Sequence, residues 1–378
     1  MFFIILLVFI GIGLLYTMTT MIISFIEFKR HTYLLPSNQL PAVSVLKPLK
    51  GIDDQLEKNL QSFFTLDYPQ YELLFGINNS DDPAIEVVRK LQQRYPEVSS
   101  RLVIDTRRIG LNPKVNNLEN LYGQTNYNLM LISDSNIRVG KRYLQYMVSE
   151  YLKPDVGLVT SIFRGSFAQS LGSIFENLHL NTYIAPNVIT IRKLFKKPIT
   201  IGKSMLFNKD VIDKIKGFSI FGEFLAEDHM LGLHVQQAGL KISQSNYIID
   251  NVNIKWSVSK FINRHLRWAK MRRTLNIGHY LLEPLSNPIL MALIFMLVNL
   301  NLQGLSIFLA VTLIKTFFDM MNARFMNSDL KWYHGLLIPL KDLLIGLIWF
   351  VPFVNRTIYW RGNSFRISKG TRLLPIPG

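Results

Sequence analysis

The first apolar run, Phe2 to Phe25, contains no charged residue and ends at Glu27, Lys29, Arg30 and His31. About 20 apolar residues are enough to cross a bilayer. A cleaved leader shows a basic start, a shorter apolar core and a small-residue cleavage site, and this run has none of them. The pattern therefore predicts an uncleaved transmembrane anchor over residues 1–28, with its basic exit on the cytoplasmic side. Apolar stretches return at Pro288–Val298, Leu305–Phe318 and Leu343–Val351, each shorter than a comfortable span. Asn299, Asn301, Gln303 and Gly304 read as a turn, and Lys341, Asp342 and Pro352 interrupt or close the third stretch. Arg356, Arg361, Arg366, Lys369 and Arg372 follow without an acid, which predicts a cytoplasmic tail. Two cytoplasmic flanks require an even number of crossings after Asn287, met by a hairpin plus one re-entrant or interfacial segment.

Between these ends the periodicity changes. Short apolar runs at Val43–Leu46, Tyr71–Ile77, Arg101–Ile104, Asn128–Ile132 and Val156–Val159 read as buried strands. Helical spacing fills Leu56–Phe64, Pro83–Tyr95, Lys114–Tyr122 and Lys141–Tyr151. Strand-helix alternation predicts an α/β fold with a mostly parallel sheet flanked by helices, and ligands in such sheets bind at the carboxyl ends of the strands.

Composition narrows the chemistry. The 378 residues include 42 Lys and Arg against 26 Asp and Glu, a formal charge of +16, and no cysteine. Thiol nucleophiles, disulfides and Cys-ligated metals are excluded, so catalytic groups and ligands are oxygen and nitrogen donors. The charge allows three partners: nucleic acid, an anionic lipid surface or a phosphorylated substrate. The bases gather beside the membrane segments and no nucleic-acid motif is present, which removes the first.

Acids stand where the strands predict a site. Ile77 runs into Asn78, Asn79, Ser80, Asp81, Asp82 and Pro83; Asp82 also suits a helix cap. Asp134, with Ser135 and Asn136, follows the strand ending at Ile132, and oxygen ligands of this type suit Mg2+ or Mn2+ bridging phosphates. Glu227 and Asp228 open a helical run to Gln237. The basic counterpart is Phe261–Arg273, with Arg264, Arg267, Lys270, Arg272 and Arg273 and no acid. Arg264 and Arg267 share a helix face, and Trp268 suits stacking on a sugar or a place in the headgroup layer. The same segment also reads as an interfacial helix attracted to anionic lipid.

Taken in order, Leu46–Asp53, Asn59–Pro69, Asp81–Ala84, Asn112–Leu118, Asp134–Arg138, Glu227–Asp228 and Arg264-x-x-Arg267-Trp268 resemble the ceramide glucosyltransferases. The likeness runs from about Pro41 to Arg273 and extends to the C-terminal part only in outline. It implies a membrane-bound inverting glycosyltransferase of the GT-A fold, with UDP-glucose as donor and ceramide or a similar lipid as acceptor. By the same resemblance Asp82 lies beside the uridine and Asp134 faces the diphosphate and its Mg2+ or Mn2+. Asp228 is the general base, and Arg264, Arg267 and Trp268 lie near the diphosphate and acceptor. His179 falls near a functionally sensitive family histidine, although its neighbours differ and a lone histidine is more often structural.

The chemistry is coherent without the name. Inverting transfer needs a base for the acceptor hydroxyl and positive charge for the departing diphosphate; Asp228 suits the first, and Asp134 with its metal, Lys114, Arg264 and Arg267 suit the second. The expected organisation is an anchor at 1–28, a catalytic domain at 41–256, a basic interfacial helix at 257–283, membrane segments at 284–355 and a basic tail at 356–378. The protein is expected to be integral to the bilayer and multi-pass, with its catalytic domain facing the cytoplasm. Other readings stay open: another UDP-sugar passed to a hopanoid, a diacylglycerol or a polyprenyl phosphate, a processive polysaccharide synthase, or a non-catalytic module binding anionic lipid. Oligomeric state is not legible.

Overall fold

A computed structural model describes residues 1–30, 32–197, 199–360 and 362–376. His31 and Arg361, which the charge pattern used, lie outside the described residues. The chain divides into two compact units, one of Arg30–Phe163 with Pro198–Val252, the other of Met1–Lys29, Arg164–Lys197 and Asn253–Gly378.

The first unit holds the sheet. Its strands are β1 (Val43–Pro48), β2 (Tyr71–Ile77), β3 (Ser100–Ile104), β4 (Leu129–Ser133), β5 (Ile137–Arg138), β6 (Val156–Ser166), which continues into the other unit, β7 (Ser204–Asn208) and β8 (Lys241–Val252). They lie in the order β3-β2-β1-β4-β7-β6-β8-β5. The β1–β2, β2–β3 and β1–β4 pairs are parallel, as strand-helix alternation predicts. The β4–β7, β6–β7 and β5–β8 pairs are antiparallel, so the sheet is mixed. Helix Leu56–Phe64 buries Leu56, Leu60, Phe63 and Phe64, and helix Ala84–Arg94 buries Ala84, Ile85, Val88 and Leu91, each a 3.6-residue stripe. The core beneath joins Leu46, Leu74, Val115, Leu118, Met130 and Phe207. Because β1, β2 and β4 are parallel, the loops that follow them emerge at one sheet edge.

The second unit is helical and apolar. Helix Phe2–Phe28 matches the expected anchor. Two further helical runs, Leu302–Phe325 and Trp332–Val354, are also long and apolar enough to cross a membrane. Ile277–Ser286 and Pro288–Val298 form a pair bent by 69° that passes the same test only together. The expected short pieces Leu305–Phe318 and Leu343–Val351 are thus corrected to longer helices, and Lys341 and Asp342 lie inside the third run instead of breaking it. The reason is charge pairing. Lys315 reaches Asp319 and Asp342, the latter at 2.8 Å, and Lys341 reaches Asp342 at 2.6 Å. Paired charges facing protein are tolerated inside membrane helices where isolated ones are not.

Two more expectations change. Segment 164–197, expected within the catalytic domain, belongs to the helical unit. Its helices carry Glu176, Asn177, His179, Asn181 and Thr182, all buried, which hid it from a hydropathy reading. Residues 356–378 are not simply a tail: Thr357–Trp360, Asn363–Ile367 and Leu373–Pro375 form an antiparallel sheet over buried Ile358, Phe365, Ile367 and Leu373.

Candidate active site

The site in the sheet unit is organised by Lys114. Its helix, Pro113–Tyr122, starts at Asn112, whose Oδ1 accepts the N–H of Lys114 at 2.9 Å and of Val115 at 3.3 Å, a side-chain N-cap. The Asn112 amide also donates to the Phe224 carbonyl at 2.7 Å and to Glu227 Oε2 at 3.3 Å. One cap thereby anchors two helix starts. Lys114 Nζ meets Asp134 Oδ1 at 2.9 Å, Glu227 Oε1 at 2.9 Å and the Gly202 carbonyl at 2.8 Å. Three ammonium protons face three oxygens.

Asp134 stands one residue past β4. Lys203, just before β7, places its ammonium 3.4 Å from Asp134 Oδ2 and 3.3 Å from Asn136 Oδ1. Lys47, fully buried in β1, donates to the Asp134 carbonyl at 2.6 Å and to Ser133 Oγ at 3.1 Å. Burial pushes the Asp134 carboxyl up, but Lys114 and Lys203 outweigh it and hold the group well below the usual carboxylate range. Burial likewise works against charge on Lys114, yet Asp134, Glu227 and Asp228 keep it firmly protonated. Lys47 goes the other way: burial outweighs the pull of Asp134 and lowers it to about 7.

Glu227 and Asp228 differ in what holds them. Glu227 is buried and tied to Lys114 and Asn112. Asp228 is half-buried; its Oδ2 accepts the Gly202 N–H at 2.7 Å and its Oδ1 the N–H of His229 at 2.8 Å. A Cβ on residue 202 would lie 2.8 Å from Asp228 Oδ2, so only glycine lets backbone and carboxylate approach this closely. Burial raises the pKa of both acids, more than nearby Lys114 lowers it. Asp228 is therefore a positioned, partly open carboxylate with enhanced basicity.

Asp82 lies past β2, where its carboxylate accepts the Gly51 N–H at 2.8 Å and the Ala84 N–H at 2.9 Å. It caps one helix and pins the loop after β1. Ser135 donates to Asp53 in that same loop. Asp81 is exposed.

The remaining candidates belong to the helical unit. Arg264 pairs with buried Glu176 at 2.9 Å and lies over the Trp268 ring at 4.5 Å. Arg267 lies over Trp360 at 5.8 Å. His265 shares Glu176 at 2.9 Å, and His179 meets the His265 ring edge-on at 4.6 Å. Arg272 pairs with Glu283 and Lys270 is buried. Much of the charge on the basic helix is thus satisfied by acids distant in sequence. The structure brings Lys114, Asp134, Glu227 and Asp228 together. Lys47, Lys203, Gly202 and Asn112 were not singled out from sequence, although a lysine set in an apolar strand, as Lys47 is, signals a buried partner.

The Mg2+ or Mn2+ expected at Asp134 has a donor set to satisfy. Among the described residues no three His, Asp or Glu side chains are grouped to hold a metal. Asp134 carries an ammonium group on each oxygen, and the third residue of its triplet is the neutral Asn136. Arranged so, these donors do not fit a divalent cation.

The family model for glycosyl transferase family 21 matches residues 4–373. The chain belongs to this family. A curated relative in Caenorhabditis elegans, ceramide glucosyltransferase 3, is 32% identical over 97% of this chain and 82% of its own length. Ceramide glucosyltransferase 1 of the same organism is 30% identical over 92% and 76%. Among solved structures, a mannosyltransferase from Pyrobaculum calidifontis in complex with GDP-Man and Mn2+ aligns with a TM-score of 0.52 at 15% identity, covering 91% of this chain and 96% of that one. The family 21 chain thus shares the GT-A type of fold, an α/β sheet with flanking helices, and adds helices apolar enough to span a membrane.

Proposed function

We propose that this family 21 glycosyltransferase moves glucose from UDP-glucose to the primary hydroxyl of ceramide, or of a closely similar membrane lipid, with inversion to a β-glucoside. Support for the acceptor comes from the names of its relatives and from the membrane helices. The observation that carries the chemistry is Asp228, half-buried, fixed by the Gly202 N–H and set beside the Lys114–Asp134–Glu227 cluster.

In the proposed step Asp228 accepts the proton of the acceptor hydroxyl while that oxygen bonds to the anomeric carbon from the face opposite the leaving group. The anomeric C–O bond to the diphosphate breaks, and UDP departs with the electron pair. One inversion at carbon follows, with no covalent enzyme intermediate. Burial makes Asp228 a better base than a solvated aspartate. Lys114 and Lys203 supply positive charge where the departing diphosphate gains negative charge. Glu227 holds Lys114 in place, and Asp82 shapes the loop after β1 on the nucleotide side. For Arg264, Arg267, Trp268 and His179 the resemblance implies places near diphosphate and acceptor; within the helical unit Arg264 is engaged with Glu176. A multi-pass protein with the catalytic unit on the cytoplasmic face, where nucleotide sugars are made, completes the proposal.

The test is product analysis. Purified protein in nanodiscs, given UDP-glucose and a panel of lipid alcohols, is expected to release UDP and form a monoglucosylceramide of β configuration by mass spectrometry and NMR. Product only from another UDP-sugar, or only on a sterol-like or glycerolipid acceptor, would overturn the assignment of substrates.

A further inference from the structure

Asp134, Ser135 and Asn136 occupy the turn where a metal-dependent arrangement would place two acids. Here the third position is an amide, and a lysine stands opposite it. The register explains why: β4 and β7 pair antiparallel with Ser133 against Ser204, and the Asp134 N–H donates to the Lys203 carbonyl at 3.3 Å. Lys203 is thereby fixed beside the turn, and its ammonium lies 3.4 Å from Asp134 Oδ2 and 3.3 Å from Asn136 Oδ1. Lys114 covers the other Asp134 oxygen at 2.9 Å.

Charge balance supports a cation role for Lys203. Two carboxylates and a divalent metal sum to zero; so do one carboxylate, one amide and one ammonium. Relative to two acids, the turn has lost one negative charge and the facing strand supplies a single positive one. The side chain of Lys203 is 12% exposed, so it is held in place without being wholly sealed off.

We propose that Lys203 is a built-in cation that takes the place of a divalent metal in binding the diphosphate of the nucleotide donor. The ammonium donates to a diphosphate oxygen while Asp134 and Asn136 hold it from behind, and Lys114 adds a second positive group. This rests on the proposed use of a nucleoside diphosphate sugar by this unit, and it assigns the recognition of the diphosphate to side chains of the chain itself.

The experiment is calorimetric titration of UDP into the full-length protein in nanodiscs, with excess EDTA, with Mg2+ or with Mn2+. Wild type is expected to bind UDP in EDTA within about threefold of its affinity with metal. Lys203→Met is expected to lose about tenfold or more in EDTA, the weight of one charge-assisted hydrogen bond, and Lys203→Arg to keep most of the affinity. The double variant Lys203→Met with Asn136→Asp, which restores a second acid, is expected to bind UDP only when Mn2+ or Mg2+ is present. Wild-type binding that needs metal, or Lys203→Met binding as tightly as wild type in EDTA, overturns the role of Lys203 while leaving the donor assignment standing. Failure of wild type to bind UDP in every buffer overturns the donor assignment itself, and this inference with it.

Discussion

Lys114 and Lys315 each touch two carboxylates within their own unit, Asp134 and Glu227 for the first, Asp319 and Asp342 for the second. Their surroundings separate them. The Lys114 side chain is 15% exposed and Asp134 26%, whereas Lys315 and Asp319 are 3% and 2% exposed. Around Lys114 a further acid, Asp228, stands half-buried with two backbone N–H groups orienting it. Around Lys315 the further group is a base, Lys341, buried and paired with that same Asp342. The inventory is similar, but one cluster leaves a carboxylate half-buried and the other cancels its charges among the helices. Accessibility of the last acid, not the number of ion pairs, marks a site for chemistry.

The largest effect expected from breaking this contrast is at Asp228. Asp228→Asn keeps the shape and its one oxygen can still accept the Gly202 N–H, giving up the bond from His229, but it cannot take a proton. Transfer should fall roughly 10²–10⁴-fold, the usual weight of a general base, while UDP binding and the unfolding temperature change little. The same assignment gives a pH limb. The base form exists above its pKa, so activity falls as pH drops through it, and because burial raises that pKa the limb should lie above the ordinary aspartate value of about 3.9. Transfer by Asp228→Asn near the wild-type rate, or a limb at the solvated value, removes Asp228 as the base.

The sealed cluster should respond in the opposite way. Asp342→Leu leaves Lys341 buried without its acid, at a cost of about 3–5 kcal/mol, a large part of the ~5–15 kcal/mol that holds a typical domain. Lys341→Met combined with Asp342→Leu removes both charges, and Lys315 keeps Asp319. The double variant should regain most of the loss, read as unfolding temperature in nanodiscs. If it is no more stable than Asp342→Leu alone, the cluster does more than cancel its own charges.

How far each region was legible in sequence follows the same division. The alternation around Val43–Leu46, Tyr71–Ile77 and Asn128–Ile132 placed the parallel strands, and the acids at 82 and 134 could be read because they follow strands, that at 228 because it opens a helical run. β7 and β8 were missed: Ser204–Asn208 is short, and Lys241–Val252 mixes polar residues along its length. Lys203 was invisible because its partner lies 69 residues away and only the β4–β7 register unites them. In the helical unit, Lys341 and Asp342 looked like a break, since hydropathy counts a charge without knowing what pairs with it. Glu176 and Arg264 are 88 positions apart by the same logic, and no local window contains both.

The smallest effect tests whether the helical unit is also the acid-sensitive one. His265 and His179 are buried side by side, and burial lowers both pKa values, although Glu176 pulls His265 the other way. The groups facing His265 are Glu176 at 2.9 Å, the His179 ring at 4.6 Å, the rings of Phe261 and Trp268, and the Arg264 and Arg272 charges. A histidine whose folded pKa is depressed binds its proton more readily when unfolded. Stability is therefore retained above the unfolded value of about 6.5 and lost as pH falls below it, at up to about 1.4 kcal/mol per pH unit per histidine. His265→Gln preserves an N–H for Glu176 but no longer titrates. The fall in unfolding temperature between pH 7 and pH 5.5 should accordingly be shallower in that variant than in wild type, by roughly half if the two histidines contribute equally. An unchanged slope would assign the acid sensitivity to other groups and leave the His179–His265 pair with a packing role alone.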